Sequence, residues 1–159
     1  MASPPEGGPR VRPAEPSDAP TIIDFQLRMA RETEGLELDP DRVRRGVTAV
    51  FADPAKGRYW VAEGTPGSAG IVASLLVIPE WSDWRAATVL WIHSVYVEPA
   101  WRRRGLFRRM YARLREEVDA RPELAGLRLY VAQGNEGAQR VYEAAGMTRD
   151  HYHLYEWLK

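Results

Sequence analysis

The sequence predicts a single α/β domain, built on a mixed sheet of six or seven strands with about four helices. Three observations lead there. The chain has 159 residues, close to the ~150 of one ordinary domain and long enough to bury about two-thirds of its unfolded surface. Hydrophobic residues make up 45% and charged residues 28%, the balance of a globular chain. Apolar runs of strand length alternate with segments of helical period, and the second half holds two strand–helix–strand units.

Taken in order, residues 1–10 (MASPPEGGPR) are rich in Pro and Gly and hold almost nothing to bury. They are expected to be a disordered tail before a domain over residues 11–159. Val11-Arg12-Pro13 suits a short edge strand, because Pro cannot donate in a central ladder. Asp18 is placed to cap a helix with Pro20 in its first turn, and Ile22, Ile23, Leu27 and Ala30 recur at helical spacing until Gly35. Asp39-Pro40 opens a second helix, with Val43, Val47 and Val50 as its core stripe, closed by Asp53-Pro54 and Gly57. Residues 59–62 read as a short strand. Residues 70–78 are nearly all apolar, as in a strand buried on both faces. Residues 79–85 connect it to a strand over residues 88–97. Pro99 and Gly105 bracket a loop, after which Phe107, Met110, Tyr111, Leu114 and Val118 trace an amphipathic helix. A strand over 127–131 and a short helix over 135–145 follow, with Gly146 as its left-handed cap. Residues 147–158 alternate loosely and read as one or two further strands.

Composition narrows the function classes. Basic and acidic residues number 22 each, so the formal net charge is zero, unlike the usual nucleic-acid binder. Cys is absent, which removes disulfides, thiolate metal sites and Cys nucleophiles together. No metal is expected. The first ten residues lack an apolar segment, so no secretory leader is expected. The longest apolar stretch, residues 69–78, is far short of the ~20 that a membrane span needs. The expectation is a cytoplasmic protein with no membrane or nucleic-acid partner.

The informative stretch is Val95-Tyr96-Val97-Glu98-Pro99-Ala100-Trp101-Arg102-Arg103-Arg104-Gly105-Leu106-Phe107. A strand ends, a basic loop follows, Gly105 permits a tight turn, and a helix begins. Helix N-termini present unpaired N–H groups and partial positive charge, which suits an anion, phosphate above all. The spacing is neither a Walker loop nor a GxGxxG fingerprint. Two other readings stand beside the anion site. One is a solvated basic face. The other is a phosphate-backbone patch, since seven Arg and no acid lie between Trp101 and Arg115.

This stretch resembles motif A of the GNAT (Gcn5-related N-acetyltransferase) superfamily, whose usual form is Q/R-x-x-G-x-G/A. Arg102, Gly105 and Phe107 occupy the three places, with Phe107 where a small residue is usual. A second element, Asn135-Glu136-Gly137-Ala138-Gln139-Arg140-Val141-Tyr142-Glu143-Ala144-Ala145-Gly146-Met147, resembles the family's N-x-x-A-x-x-x-Y-x-x-x-G-F ending, with Met for Phe. With element order and length, the resemblance covers residues 11–159. It implies a sheet split into a V between the fourth strand (89–97) and the fifth (127–131), with acetyl-CoA lying in the V. Backbone groups of Val95, Tyr96 and Val97 would pair with the pantetheine arm. Arg102 and the N–H groups of Arg103, Arg104, Gly105, Leu106, Phe107 and Arg108 would hold the pyrophosphate. Asn135 is either a helix cap or a cofactor contact, and the two are compatible. Tyr142 is the family's candidate general acid toward the departing CoA thiolate; the alternative is a core aromatic. His93 falls where the arylalkylamine branch of the family carries a catalytic histidine, and its plain alternative is a core histidine. Period-two alternation places it with Trp91 and Val95 unless a bulge intervenes. Glu80, acting through a water, is the second candidate base. His151 and His153 read as ordinary exposed residues.

By the same resemblance, the acceptor lies between the two N-terminal helices, the connection after the third strand, and the C-terminal strands. Glu32 and Glu34, with Glu80 and Asp83, offer an acidic mouth for a cationic amine. Trp81 and Trp84, with Trp91, offer an aromatic wall. Their alternative is an ordinary surface. With no Cys to carry an acyl group, direct transfer from acetyl-CoA to an amine of a small molecule is expected. A peptide or protein amine, and a non-catalytic acyl-CoA-binding module, are the alternatives. Members of the family are often dimers, so a homodimer is an open expectation.

Overall fold

A computed structural model describes residues 8–65, 70–149 and 151–159. The elements are β1 (Arg10–Pro13), α1 (Ala19–Glu34), α2 (Pro40–Ala52), β2 (Arg58–Glu63), β3 (Ile71–Ser82), β4 (Ala87–Val97), α3 (Leu106–Ala120), β5 (Leu124–Arg128) and α4 (Glu136–Ala144). The sheet order follows the chain, β1 to β5. The first four strands are antiparallel neighbours, and β5 lies parallel to β4 after the α3 crossover.

Alternation along β2 shows why both sheet faces are covered. Tyr59 and Val61 join Ile22 and Val47 under α1 and α2. Trp60 and Ala62 face the other way, into a larger core with Leu75, Leu90, Met110 and Leu114 under α3. The stripe read as Val43, Val47 and Val50 is indeed the face of α2 that packs on the sheet. Asp39 caps α2 by accepting the Asp41 N–H at 3.0 Å.

Several expectations are corrected. Asp18 does not cap α1 with its side chain. Its buried carboxylate instead accepts from Arg12 Nη1 at 2.7 Å and from the Glu15 N–H at 2.8 Å. Residues 79–85 are not all connection, since β3 continues to Ser82. Pro79 is tolerated because β2 has already ended, its last pair being Arg58 with Val77. The fifth strand starts three residues early, at Leu124, as soon as the Thr88 N–H finds the Glu123 carbonyl. Arg10 of the expected tail already pairs with Glu63 in β1, and residues 1–7 lie outside the described residues. Five strands form among the described residues, not six or seven. Residues 147–149 and 151–159 carry no strand. Periodicity reports which face a residue takes, whereas a strand exists only once a partner strand completes its ladder.

Candidate active site

The site begins where the sheet forks. β4 pairs with β5 over four positions only, Thr88 with Leu124 through Trp91 with Arg128. From Ile92 onward β4 keeps β3 on one side and, among the described residues, has no strand on the other. Within this stretch Ser94 takes φ +50°, and the β3 partner steps from Leu76 opposite His93 to Ser74 opposite Tyr96. That is a bulge, with one extra residue on β4. It reverses the alternation. Leu90, Ile92, Val95 and Val97 all face the α3 core, whereas Trp91, His93 and Tyr96 face the other side. Val95 therefore does not share a face with His93, and the bulge is the reason.

Tyr96 turns its ring onto Phe25 of α1, centroids 4.8 Å apart, and donates its hydroxyl to Glu32 Oε1 at 2.8 Å. Burial and that hydrogen bond push its pKa up to about 12. With their side chains committed to packing, Val95, Tyr96 and Val97 present main chain to the fork.

Next comes the loop. Pro99–Trp101 forms one 3-10 turn. Arg103 (φ +63°) and Gly105 (φ +73°) are both left-handed. A Cβ on Gly105 would meet nothing within 4 Å, so glycine is favoured there by the backbone angle and not by crowding. The first helical bond of α3 runs from the Arg109 N–H to the Gly105 carbonyl. The N–H groups of Leu106, Phe107 and Arg108 precede it and have no acceptor within the helix. Left-handed residues next to a helix start turn successive N–H groups into one concavity, a shape that takes an anion. The side chains of Arg103, Arg104 and Arg108 are exposed around it, and Arg104 lies 5.2 Å over the Trp101 ring.

Arg102 behaves differently from its neighbours. Its Nε donates to the Val97 carbonyl at 2.9 Å and its Nη2 to Glu32 Oε2 at 2.5 Å. The guanidinium also lies 5.6 Å over the Tyr96 ring. Arg102, followed by the Tyr96 hydroxyl, holds the Glu32 carboxyl below its ordinary pKa. A second tie runs beside it, Arg28 donating in fork geometry to both oxygens of Glu98 at 2.7 and 2.8 Å. These pairs bind α1 to the loop. Two residues expected in different roles, Arg102 toward pyrophosphate and Glu32 toward the acceptor, are thus partners of each other.

On the opposite flank, Asn135 caps α4 by accepting the Ala138 N–H at 3.1 Å. Tyr142 is half-buried in the last turn of α4, and burial raises its pKa, so its hydroxyl stays protonated. Its ring meets Phe107 edge-on at 5.0 Å, and Phe107 also stacks on Tyr111 at 6.0 Å. The bulky residue of the loop motif thus fills the space between α3 and α4.

His93 sits at the mouth of the fork, 6.3 Å from the Trp91 ring and 5.2 Å edge-on to Tyr130. Burial lowers its pKa, which keeps the imidazole neutral at pH 7. Glu80 Oε2 accepts from Trp91 Nε1 at 2.6 Å, and its Oε1 from Arg128 at 3.0 Å, so this carboxylate is engaged on both oxygens. Trp81 pairs with Thr88 one residue on from Glu80, which puts it on the opposite face of β3, 65% exposed. Trp84 is 90% exposed in the β3–β4 turn. Glu34 is exposed at the last position of α1. The structure thus gathers Trp91, His93 and Glu80, and leaves Trp81, Trp84 and Glu34 apart from them. Tyr130 was missed from sequence; its signal is the alternation that carries Arg128 to Tyr130 just past β5.

Two concave surfaces lie elsewhere, one of about 310 Å³ beside Arg58, Trp60 and Arg113, and one of about 730 Å³ beside Arg12, Asp18 and Glu63. Among the described residues, no group of three or more His, Asp or Glu is placed to hold a metal ion. No helix among them is long and apolar enough to cross a membrane.

The chain was compared with known proteins. No curated protein matches it. Among solved structures, a possible acetyltransferase from Clostridium difficile 630 is 37% identical, covering 96% of this chain and 98% of its own, with a TM-score of 0.86. Glucosamine-6-phosphate N-acetyltransferase from Arabidopsis thaliana is 16% identical, with coverage of 95% and 99% and a TM-score of 0.71. An aminoglycoside acetyltransferase from an uncultured soil metagenomic sample is 14% identical, with coverage of 95% and 97% and a TM-score of 0.70. These last two share the fold. The family described as Acetyltransferase (GNAT) matches residues 22–147. Because that span takes in the fork, the loop and the helix bearing Tyr142, and one solved relative is similar nearly end to end, the chain belongs to the acetyltransferase (GNAT) family.

Proposed function

We propose that the chain is an acetyl-CoA-dependent N-acetyltransferase that passes the acetyl group directly to an amine of a small molecule. The observation that carries this reading is the edge of β4 beyond Trp91 that β5 leaves uncovered, running into the loop and helix start where the N–H groups of residues 106–108 have no backbone acceptor. An amide-bearing arm completes such an edge like an added strand, and a pyrophosphate at its far end suits the helix N-terminus. Acetyl-CoA supplies a thioester as co-substrate. Val95, Tyr96 and Val97 offer main-chain groups to its arm. Residues 103–108 offer N–H groups and exposed Arg charge to its phosphates. Arg102 serves by holding the end of β4 and the loop in register.

His93, neutral and at the mouth, is the base that takes a proton from the incoming ammonium. The freed amine attacks the thioester carbonyl, a C–N bond forms, the C–S bond breaks, Tyr142 O–H protonates the leaving sulfur, and the proton shed by the new amide nitrogen passes through solvent to restore the tyrosine. Glu80, tied to Trp91 and Arg128, orients the wall around His93 and is not the first base. Of the four carboxylates expected as an acidic mouth for a cationic amine, Glu32 is paired with Arg102 and Glu80 with Arg128. A cytoplasmic site of action belongs to the same reading.

The test is titration calorimetry with acetyl-CoA and with a CoA analogue lacking its adenosine diphosphate portion. Strong binding of the first and much weaker binding of the second is the expected result. Failure of both to bind overturns the proposal. Release of CoA with a panel of amines then separates an enzyme from a binding module. In Tyr142→Phe, acetyl-CoA affinity stays within about twofold while kcat falls about 100-fold or more, the ordinary value of a positioned acid. An unchanged kcat removes Tyr142 from the mechanism.

A further inference from the structure

We propose, resting on the acetyltransferase reading, that Arg128 receives a carboxylate of the acceptor, so that the amine acetylated belongs to an amino acid or a similar short amino-carboxylate. Trp91 and Arg128 are the last partners of the β4–β5 ladder, at the point where the fork opens. Partners across a ladder share a face, as do residues two apart along a strand. Arg128 therefore lies on the face that carries Trp91 and His93. Both Arg128 and His93 are neighbours of one indole ring. The guanidinium carbon is 5.8 Å from the centre of the Trp91 ring, and the imidazole is 6.3 Å from it. One small molecule resting on that ring can touch both.

Hydrogen bonding sets Arg128 apart. Among the described residues, three ion-paired arginines have side chains less than one-third exposed, Arg12, Arg28 and Arg128. Arg12 donates through three nitrogens, to Glu63, Asp18 and the Pro13 carbonyl. Arg28 donates through two, one to each oxygen of Glu98. Arg128 donates through Nη1 alone, to Glu80 Oε1 at 3.0 Å, and its Nε and Nη2 have no acceptor among the described residues. A guanidinium carries five donors in a rigid fork, and its Nε–Nη2 side matches the two oxygens of a carboxylate. The other Glu80 oxygen is held by Trp91 Nε1 at 2.6 Å, so Glu80 does not reach across to that side. Its contact fixes the guanidinium instead, and the rings of Trp91 and Tyr152, each 5.8 Å from the central carbon, flank it. A cation pinned in this way loses little freedom when it takes a ligand.

Charge selects the kind of acceptor. Arg128 and Glu80 together are neutral, so a polycation gains nothing from the pair. A phosphate dianion needs a second cation beside Arg128, and a carboxylate stands in that place. A single carboxylate matches the one side of the guanidinium that Glu80 leaves. An amine that also carries a carboxylate is a zwitterion, with one end for Arg128 and the other for the neutral His93. Its carbon skeleton rests between them on Trp91 and on Tyr130, whose ring is 5.2 Å edge-on to His93. Arg128 thus fixes which amine reaches the base and makes no bond in the reaction.

The test uses matched pairs. Acetyl-CoA is supplied with α-, β- and γ-amino acids and with each corresponding amine that lacks the carboxylate. Release of CoA is followed with a thiol dye, which a chain without Cys does not consume. At least one amino acid is expected to react with kcat/KM about 10- to 100-fold above its decarboxylated partner, the ordinary worth of hydrogen bonds to a charged group. In Arg128→Gln that ratio is expected to fall close to one, while acetyl-CoA affinity by calorimetry is kept. Arg128→Lys, which keeps the charge and loses the fork, is expected to retain part of the ratio. Turnover of plain amines with no gain from a carboxylate overturns the proposal and leaves the acetyltransferase reading standing. A ratio that survives in Arg128→Gln overturns it by placing the carboxylate elsewhere. An equal fall in kcat/KM for both members of a pair overturns it by making Arg128 a structural residue only. Binding of acetyl-CoA with no turnover across the panel overturns it in favour of a binding module. Failure of acetyl-CoA to bind overturns the acetyltransferase reading itself, and this proposal with it.

Discussion

His93 shows how one residue acquires its chemistry from its surroundings. The imidazole has an ordinary pKa of 6.5, and burial between Trp91 and Tyr130 moves it lower. If it accepts the proton from the amine, kcat/KM falls on the acid side with an apparent pKa below 6.5, and His93→Gln abolishes that limb. A limb that persists unchanged in the variant assigns it to another group. Stability carries the same signature. The unfolded chain takes up this proton near pH 6.5 and the folded chain only at lower pH. Stability from this residue is therefore complete above pH 6.5, declines as pH falls toward the folded value, and is level below it. Urea unfolding of wild type and His93→Gln between pH 5 and 8 measures the difference. The Asn135 cap and the places of His93 on β4 and Tyr142 on α4 were legible in the sequence because motif spacing is local. The pairing of Arg102 with Glu32 was not, because the partners are 70 residues apart and either one alone reads as a surface charge.

At the scale of elements, helices were legible and strands only in part. The valine stripe of α2 and the amphipathic run of α3 carry their period in consecutive residues. The start of β5 depends on where β4 offers a carbonyl and N–H, which no window over residues 124–131 contains. The bulge at Ser94 was invisible for a related reason. Serine has no special preference for φ +50°, and the conformation is imposed by pairing with β3 on both sides of it. The imposition costs free energy that glycine would not. Ser94→Gly is expected to stabilise the protein by about 0.5–1 kcal/mol, and Ser94→Val to destabilise it by about 2 kcal/mol, because a β-branched residue fits this region worst. Chemical denaturation measures both. If Ser94→Val is neutral, the bulge has moved or vanished. Activity decides between those outcomes, since loss of the bulge returns Val95 to the face of His93 and withdraws its main chain from the fork.

At the scale of the whole molecule, the fork makes two unequal parts. β1 to β4 with α1 and α2 form a continuous sheet and its cover. β5 and α4 are joined to them by four strand pairs and by packing under α3. Element order and the two motifs made this arrangement legible, because each motif sits on one arm of the fork. That β5 ends the sheet was not legible, since the strands expected after it do not form among the described residues. A ligand spanning the fork would touch both parts and bind the folded state alone. At 100 times its dissociation constant it adds about 2.7 kcal/mol, which for a chain of this length raises Tm by about 5–10 °C. Acetyl-CoA is expected to give that shift and the analogue without adenosine diphosphate a much smaller one at equal concentration. Hydrogen exchange locates the effect. Protection should rise most at residues 106–108, whose N–H groups have no acceptor within the helix, and along the edge of β4 at residues 95–97 that β5 leaves uncovered, and next at residues 124–128, whose separation from β4 the ligand opposes. A shift in Tm with protection raised only around Arg58 and Trp60, or only around Arg12 and Asp18, would place the ligand in one of the two outer hollows and detach the fork from coenzyme binding.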